Sequence, residues 1–201
     1  MEKGKLITVE GVDGAGKSTQ MAVIDQALRE RGIDLVRTRE PGGPETAEKI
    51  RKLLLNEPMS PKCELMLMFA AREENLDKII RPALAKGQWV LCDRFTDASY
   101  AYQGYGRGRS IEEIRALENF VHPDLKPDLT VLFDVPTEVA AARLSRKLDR
   151  FEKESQDFHR RVREGYLRMA KAEPERFYVV DGTQTPEQIS AQLREVFAQW
   201  K

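Results

Sequence analysis

The residues with the clearest chemistry are Gly11, Gly14, Gly16, Lys17 and Ser18. They stand in the run Gly11-Val12-Asp13-Gly14-Ala15-Gly16-Lys17-Ser18, which fits G-x-x-x-x-G-K-[ST]. Such a run holds phosphate. Glycines reach backbone angles closed to other residues, so consecutive N–H groups can converge on one anion. A helix that starts near Lys17 aims its N-terminal partial positive charge at the same oxygens. Lys17 then reaches the β/γ-phosphates and the Ser18 hydroxyl can ligate Mg²⁺. The apolar run Leu6-Ile7-Thr8-Val9 lies directly before the loop, where the mechanism needs a strand.

Further groups with chemical potential follow other apolar runs. Asp93 closes Trp89-Val90-Leu91-Cys92, and an acid at that strand end can hold Mg²⁺ or its water. Its neighbour Arg94 either pairs with Asp93 or meets a second phosphate. Arg39 opens the loop Arg39-Glu40-Pro41-Gly42-Gly43-Pro44, which is either a ligand loop or a plain turn. Arg72 falls on the apolar stripe Leu65, Met68, Phe69, Leu76, Ile79, Ile80 and Ala83. A guanidinium there needs a ligand, an internal carboxylate, or room to reach water. Between Phe95 and Arg109 the chain carries Ser99, Tyr100, Tyr102, Gln103 and Tyr105. Rings beside hydroxyls and amides suit a planar heterocycle, or else an aromatic patch packed on the domain or a partner. Arg143, Arg146, Lys147, Arg150 and Lys153 form a cationic segment between two helical patterns, read as a mobile lid or else as a solvated face.

These residues must be positioned by regular elements, and the periodicity supplies them. Helices are expected from about Lys17 to Arg31, around Ala47 to Leu54, from about Lys62 to Ala85, after Ser110 with Glu113 completing a capping box, from Thr137, from about Glu154 to Lys171, and around Ile189 to Phe197. Strands are expected at Leu6–Val9, Asp34–Thr38, Trp89–Cys92, Leu129–Phe133 and Phe177–Val180. Asp134 closes the fourth of these. Five strands alternating with helices imply a three-layer α/β fold with a five-stranded parallel sheet, and the ligand crevice lies along its carboxyl edge.

The 201 residues suffice for a single domain. Lysine plus arginine balance aspartate plus glutamate at 33 each, and this absence of basic excess argues against a nucleic-acid polymer as partner. No apolar run approaches membrane-spanning length. Only Cys63 and Cys92 are present and no secretion segment is read at the start, so a reduced, cytoplasmic protein is expected. His122 and His159 lack ligand neighbours and are read as surface or capping residues.

Four separated segments, taken together, resemble the bacterial thymidylate kinases. They are the loop with Asp13; Thr38-Arg39-Glu40-Pro41-Gly42-Gly43; Asp93-Arg94-Phe95 with Tyr102-Gln103-Gly104; and Leu148-Asp149-Arg150-Phe151-Glu152. The resemblance implies the P-loop nucleoside monophosphate kinase fold, a homodimer, and transfer of the γ-phosphoryl group of ATP to dTMP with Mg²⁺. It assigns Gly11, Val12, Asp13, Gly14, Ala15, Gly16, Lys17, Ser18 and Thr19 to ATP, and Ser18, Asp93 and Asp13 to the metal region. Asp13 would also meet the deoxyribose 3′-hydroxyl. Arg39 and Arg94 would hold the dTMP phosphate, Arg72 the thymine edge, and Phe69 would stack on the ring. Ser99 would line the base pocket, Gln103 would belong to the substrate-binding set, and Tyr102 would crowd the 2′ position. Position 14 is Gly where some members carry Arg, so a transition-state cation is expected from the lid at about 143–153: Arg150 or Arg146 first, then Arg143. Together with Lys17, Asp13 and Arg94 these form the expected catalytic set.

Other readings are a monophosphate kinase for a different base, or a nucleotide-dependent switch. No N-K-x-D base-reading motif supports the latter.

Overall fold

Continuously apolar runs have no face to give to water, so the strands they form must be covered on both sides. The computed structural model of the protein describes residues 4–144 and 148–200. Its strands are β1 (Leu6–Glu10), β2 (Leu35–Arg39), β3 (Trp89–Asp93), β4 (Leu129–Asp134) and β5 (Phe177–Asp181). They form one parallel sheet in the order β2-β3-β1-β4-β5. Every residue of the central β1 is buried. The register pairs Arg39 and Val9 with Asp93, Glu10 with Leu132, and Asp134 with Asp181. All five strands therefore finish in a charged residue at one edge, as the crevice expectation requires.

Helices α1 (Lys17–Glu30), α2 (Glu45–Asn56) and α3 (Pro61–Asn75) follow the expected pattern. Met21, Ile24 and Leu28 bury one stripe of α1. Full burial of an aliphatic side chain contributes about 1.5–3 kcal/mol. Gly32, with φ 77°, supplies the left-handed stop after that helix. Ser60 caps α3 by accepting from the Cys63 amide. The single long helix expected to run to Ala85 is instead broken into three parts. After α3 come a π-helical turn, Leu76–Ile80, and the short α4 (Arg81–Ala85). Pro82 explains the break, since it offers no N–H to the preceding turn and its ring crowds the carbonyl there.

The aromatic stretch is helical as well: α5 (Thr96–Ser99) runs into a π-helical segment, Tyr100–Gly106. Next come α6 (Ile111–Val121), α7 (Thr137–Ala142), α8 (Gln156–Ala172) and α9 (Pro186–Gln199). Ser110 caps α6 by accepting from the amides of Glu112 and Glu113. The Glu113 carboxylate is bound by Arg109, so the reciprocal half of the expected capping box is not made. Thr185 and Gln188 do form a full capping box on α9. His122 follows α6 and is buried. Its Nε2 meets Thr96 Oγ1 at 2.9 Å and its Nδ1 the Leu125 carbonyl at 3.1 Å. Burial pushes it down to about 4, so it is a neutral structural group.

The π-helical segment and α8 interlock through two glycines. A Cβ at Gly106 would come within 2.7 Å of the Phe158 ring, and one at Gly165 within 2.4 Å of the Tyr105 ring. Each helix thus gives up a side chain where the other inserts an aromatic. Among the described residues no helix is long and apolar enough to cross a membrane.

Candidate active site

The loop after β1 folds as its composition requires. Gly11, Gly14 and Gly16 have φ of 135°, 83° and 92°. Position 14 is closed to side chains for a second reason: a Cβ there would lie 2.2 Å from the Ala140 carbonyl oxygen. Lys17 Nζ donates to the Gly11 and Val12 carbonyls at 3.0 and 2.9 Å, folding the ammonium back over the loop. Burial, with the Arg94 guanidinium nearby, pushes it down to about 8.

Among the depressions bordering this loop, two hold Arg39, Asp93, Arg72 and Arg94. The first is a cleft lined by Ser18, Arg39, Glu48 and Asp93. Asp93 Oδ1 is buried there without a hydrogen-bond partner among the described residues. A bare carboxylate oxygen beside a hydroxyl suits a hard divalent cation that keeps most of its shell as water and phosphate oxygens. Among the described residues no group of three or more His, Cys, Asp or Glu could hold a metal by itself. Arg39 lies here, its Nε and Nη2 bound to Glu48 at 3.0 and 2.8 Å. Glu48, on the first turns of α2, draws the guanidinium away from the second depression.

That second depression is a cavity lined by Asp13, Arg51, Met68, Arg72, Arg94, Phe95, Ser99, Tyr102, Gln103 and Phe151, among others. Its loop end is cationic. Arg94, the only non-glycine described residue with positive φ (68°), sends Nη2 to Asp13 Oδ1 at 2.8 Å and to the Tyr102 hydroxyl at 3.0 Å. Its Nη1 donates to the Gly11 carbonyl at 2.9 Å. The Asp93–Arg94 ion pair considered from sequence is thus replaced by an Asp13–Arg94 pair. Burial would raise Asp13, but Arg94 and Lys17 hold it well below the usual carboxylate range. Asp13 Oδ2 accepts from the Tyr102 hydroxyl at 3.1 Å, so both of its oxygens are engaged within the protein. Arg51 joins the same end: it donates to the Pro41 carbonyl at 2.8 Å, and burial together with Arg39 and then Arg94 depresses it.

The far end holds Arg72, Ser99 and Gln103. Arg72 has an internal carboxylate partner and still lines the cavity. Its Nε binds Glu40 at 2.7 Å, the internal carboxylate foreseen as an alternative, and its Nη2 binds Ser99 Oγ and the Phe95 carbonyl, both at 3.0 Å. Its Nη1 is buried without a partner among the described residues. Burial raises Glu40 even beside that guanidinium. Gln103 donates to Glu64 at 2.9 Å.

Phe69 is not a wall of this cavity. It is 2% exposed, packs with Leu65 and Ile114, and lies beneath the Arg72 guanidinium at 4.5 Å. Met68 lines the cavity instead. Neighbours on a helix point about 100° apart, so the two residues face different elements.

The cationic segment is divided. Arg143 Nη1 donates to the Gly182 carbonyl at 2.9 Å, just after β5. Arg150 turns the other way, donating to Leu54 O at 2.9 Å and Glu64 at 2.6 Å. Arg146 lies outside the described residues. Asp134 is bound by Arg163, in keeping with a strand-closing role.

Sequence reasoning missed Arg51, Glu64 and Glu10. Glu10 Oε1 accepts from the Phe95 amide at 2.7 Å and Oε2 from the Tyr166 hydroxyl at 2.6 Å, bracing both sides of Arg94, and burial pushes it up to about 8. The available signal for Arg51 was a cation one helical turn beyond Glu48, just after the Pro41-Gly42-Gly43 turn.

Comparison with known proteins adds to this geometry. The family model described as thymidylate kinase matches residues 9–193. The thymidylate kinase of Methylobacillus flagellatus is 51% identical over 201 residues, covering 99% of each chain. That of Bordetella pertussis is 54% identical over 203 residues, covering 98% of each. A crystal structure of thymidylate kinase from Ehrlichia chaffeensis superposes with a TM-score of 0.78 at 33% identity, covering 97% of this chain and 99% of that one.

Proposed function

The chain belongs to the thymidylate kinase family, and from that premise we propose that it moves the γ-phosphoryl group of ATP to dTMP, with the phosphate loop holding the donor and the neighbouring cavity holding the acceptor. The observation that carries this reading is Asp13. It is a loop residue that also lines the cavity, so the two sites share a wall.

A phosphate monoester has its second pKa near ~6, so the acceptor oxygen is anionic at pH 7 and needs no general base. The obstacle is charge. Two polyanions must align while negative charge spreads over the transferred group. Lys17 faces that charge from the donor side, with Arg94 and Arg51 at the acceptor's phosphate. Arg51 takes the part first expected of Arg39, which Glu48 holds in the neighbouring cleft. Arg72, Ser99 and Gln103 present donors and acceptors to the edge of the base, with Met68, Phe95 and Phe151 as apolar surfaces. Tyr102, fixed against Phe151 and Tyr166, limits room beside the sugar.

Ser18 and Asp93 fit Mg²⁺, which when bound would offset charge on the transferring phosphates. Position 14 is Gly and supplies no cation, so the cation for the transferring group is assigned to the 143–153 lid of a single kinase domain. Unchanged kcat in both Arg143→Ala and Arg146→Ala would remove that assignment. The expected setting is a cytoplasmic homodimer with no nucleic-acid polymer as partner.

The deciding experiment couples ADP formation to added dTMP, dUMP, dCMP, dGMP or AMP with Mg²⁺-ATP. Turnover should depend on dTMP. A strong preference for any other acceptor would overturn the substrate assignment.

A further inference from the structure

Glu64 stands on the first turn of α3, behind Gln103, and is 1% exposed. Its Oε1 accepts from Gln103 Nε2 at 2.9 Å and from Arg107 Nε at 3.3 Å. Its Oε2 accepts from Arg150 Nη1 at 2.6 Å and lies 3.2 Å from Arg107 Nη2. Gln103 is a wall of the acceptor cavity. Arg150 belongs to the turn whose Asp149 and Phe151 cover that cavity. One buried carboxylate therefore ties the cavity's wall to its cover.

Arg150 is held at several points. Besides Glu64, its Nε reaches the Leu54 carbonyl, its own amide the Leu55 carbonyl at 3.2 Å, and its guanidinium lies 4.5 Å from the centre of the Phe151 ring. Arg107 completes the group by binding Glu154 in the same turn. None of these contacts is with the phosphate loop. Charge-assisted bonds to a buried carboxylate are strong, and removing the acceptor strands the donors in a dry site.

We propose that Glu64 is a positioning residue, a latch that sets the Asp149–Glu154 turn over the bound acceptor nucleotide, and that Arg150 acts as the other half of this latch rather than as the transition-state cation. The inference rests on the reading of the cavity as the monophosphate site.

Steady-state kinetics of Glu64→Gln, Arg150→Met and the double variant, with Arg150→Lys as the conservative partner, test it. Each single change should raise KM for dTMP on the order of 10-fold or more while kcat moves by less than about 3-fold. KM for ATP should hold. The double variant should lose less than the product of the two single losses, because the two residues share one contact. Arg150→Lys should recover part of the lost affinity. If Glu64→Gln melts early, Arg150→Met alone still decides, since it changes only the partly exposed half of the pair. A kcat loss of about 100-fold or more in Arg150→Met with unchanged KM for dTMP would overturn the proposal, as would independent effects in the double variant. Should the wild type prefer another monophosphate, the substrate reading fails by itself; the same KM pattern toward that acceptor would uphold the latch and its absence would refute it.

Discussion

The phosphate loop and the cavity proposed for the acceptor meet one electrostatic problem with different materials. The loop is made of backbone: three glycines at positive φ, a helix N-terminus, and a lysine resting on two of the loop's own carbonyls. The cavity is made of side chains drawn from the loop, α2, α3, the β3 end, the π-helical segment and the turn after α7. Backbone N–H groups suit any phosphate. Side chains on separate elements recognise one nucleotide, because each can be placed independently. Generic affinity and particular recognition are thus physically separated, with Asp13 and Arg94 at the joint.

The largest effect should come from breaking that joint. Arg94→Ala removes a phosphate-facing cation and strands Asp13, so kcat/KM should fall roughly 10²–10³-fold or more. Stability should drop by about 2 kcal/mol in a denaturant melt, below the value for a fully buried pair because both partners keep some solvent contact. Equal activity in this variant would mean that the loop and cavity work without a shared pair. A sharper division is expected from Arg51→Met: KM for dTMP up about 10-fold, KM for ATP unchanged, measured by varying each substrate in turn. Parallel rises in both would show that the cavity's cations serve the donor too.

The smallest effect concerns what braces the joint. Folded Glu10 keeps its proton up to about pH 8, whereas in the unfolded chain it loses it near its ordinary value of 4.5. Between those limits the unfolded state binds fewer protons, so Glu10's contribution, full below pH 4.5, is lost as pH rises toward and through 8. Melting temperatures from pH 5 to 9 should therefore decline less in Glu10→Gln than in the wild type. A Glu10→Gln curve parallel to the wild type's would show that Glu10 titrates normally.

The same contrast explains what could be read in advance. A backbone-built site is contiguous, so the loop is legible in eight consecutive residues, and the five strands fall within a residue or two of their expected bounds. A side-chain-built site depends on helical phase and long-range partners. Met68 and Phe69 share one apolar stripe, and only the packing of α3 against α6 decides which of them faces the cavity. Arg39 is prominent at a strand end, yet a carboxylate nine positions on holds it in the neighbouring cleft, and Arg51 lines the cavity from a helix read only for its apolar face. Arg72 was caught as an anomaly because a buried guanidinium must have partners. Glu64 passed as an ordinary polar residue near a helix start, and nothing local signals three donors converging on it from distant segments.

The interlock of Gly106 with Phe158 and Gly165 with Tyr105 has a dynamic consequence. With no slack at either contact, the segment bearing Tyr102 and Gln103 can open only if α8 moves with it, so the two should behave as one cooperative unit in native-state amide exchange. The turn before α8 is free of that restraint. Motion on nucleotide binding should therefore concentrate in the cover, while the wall it closes upon keeps its shape.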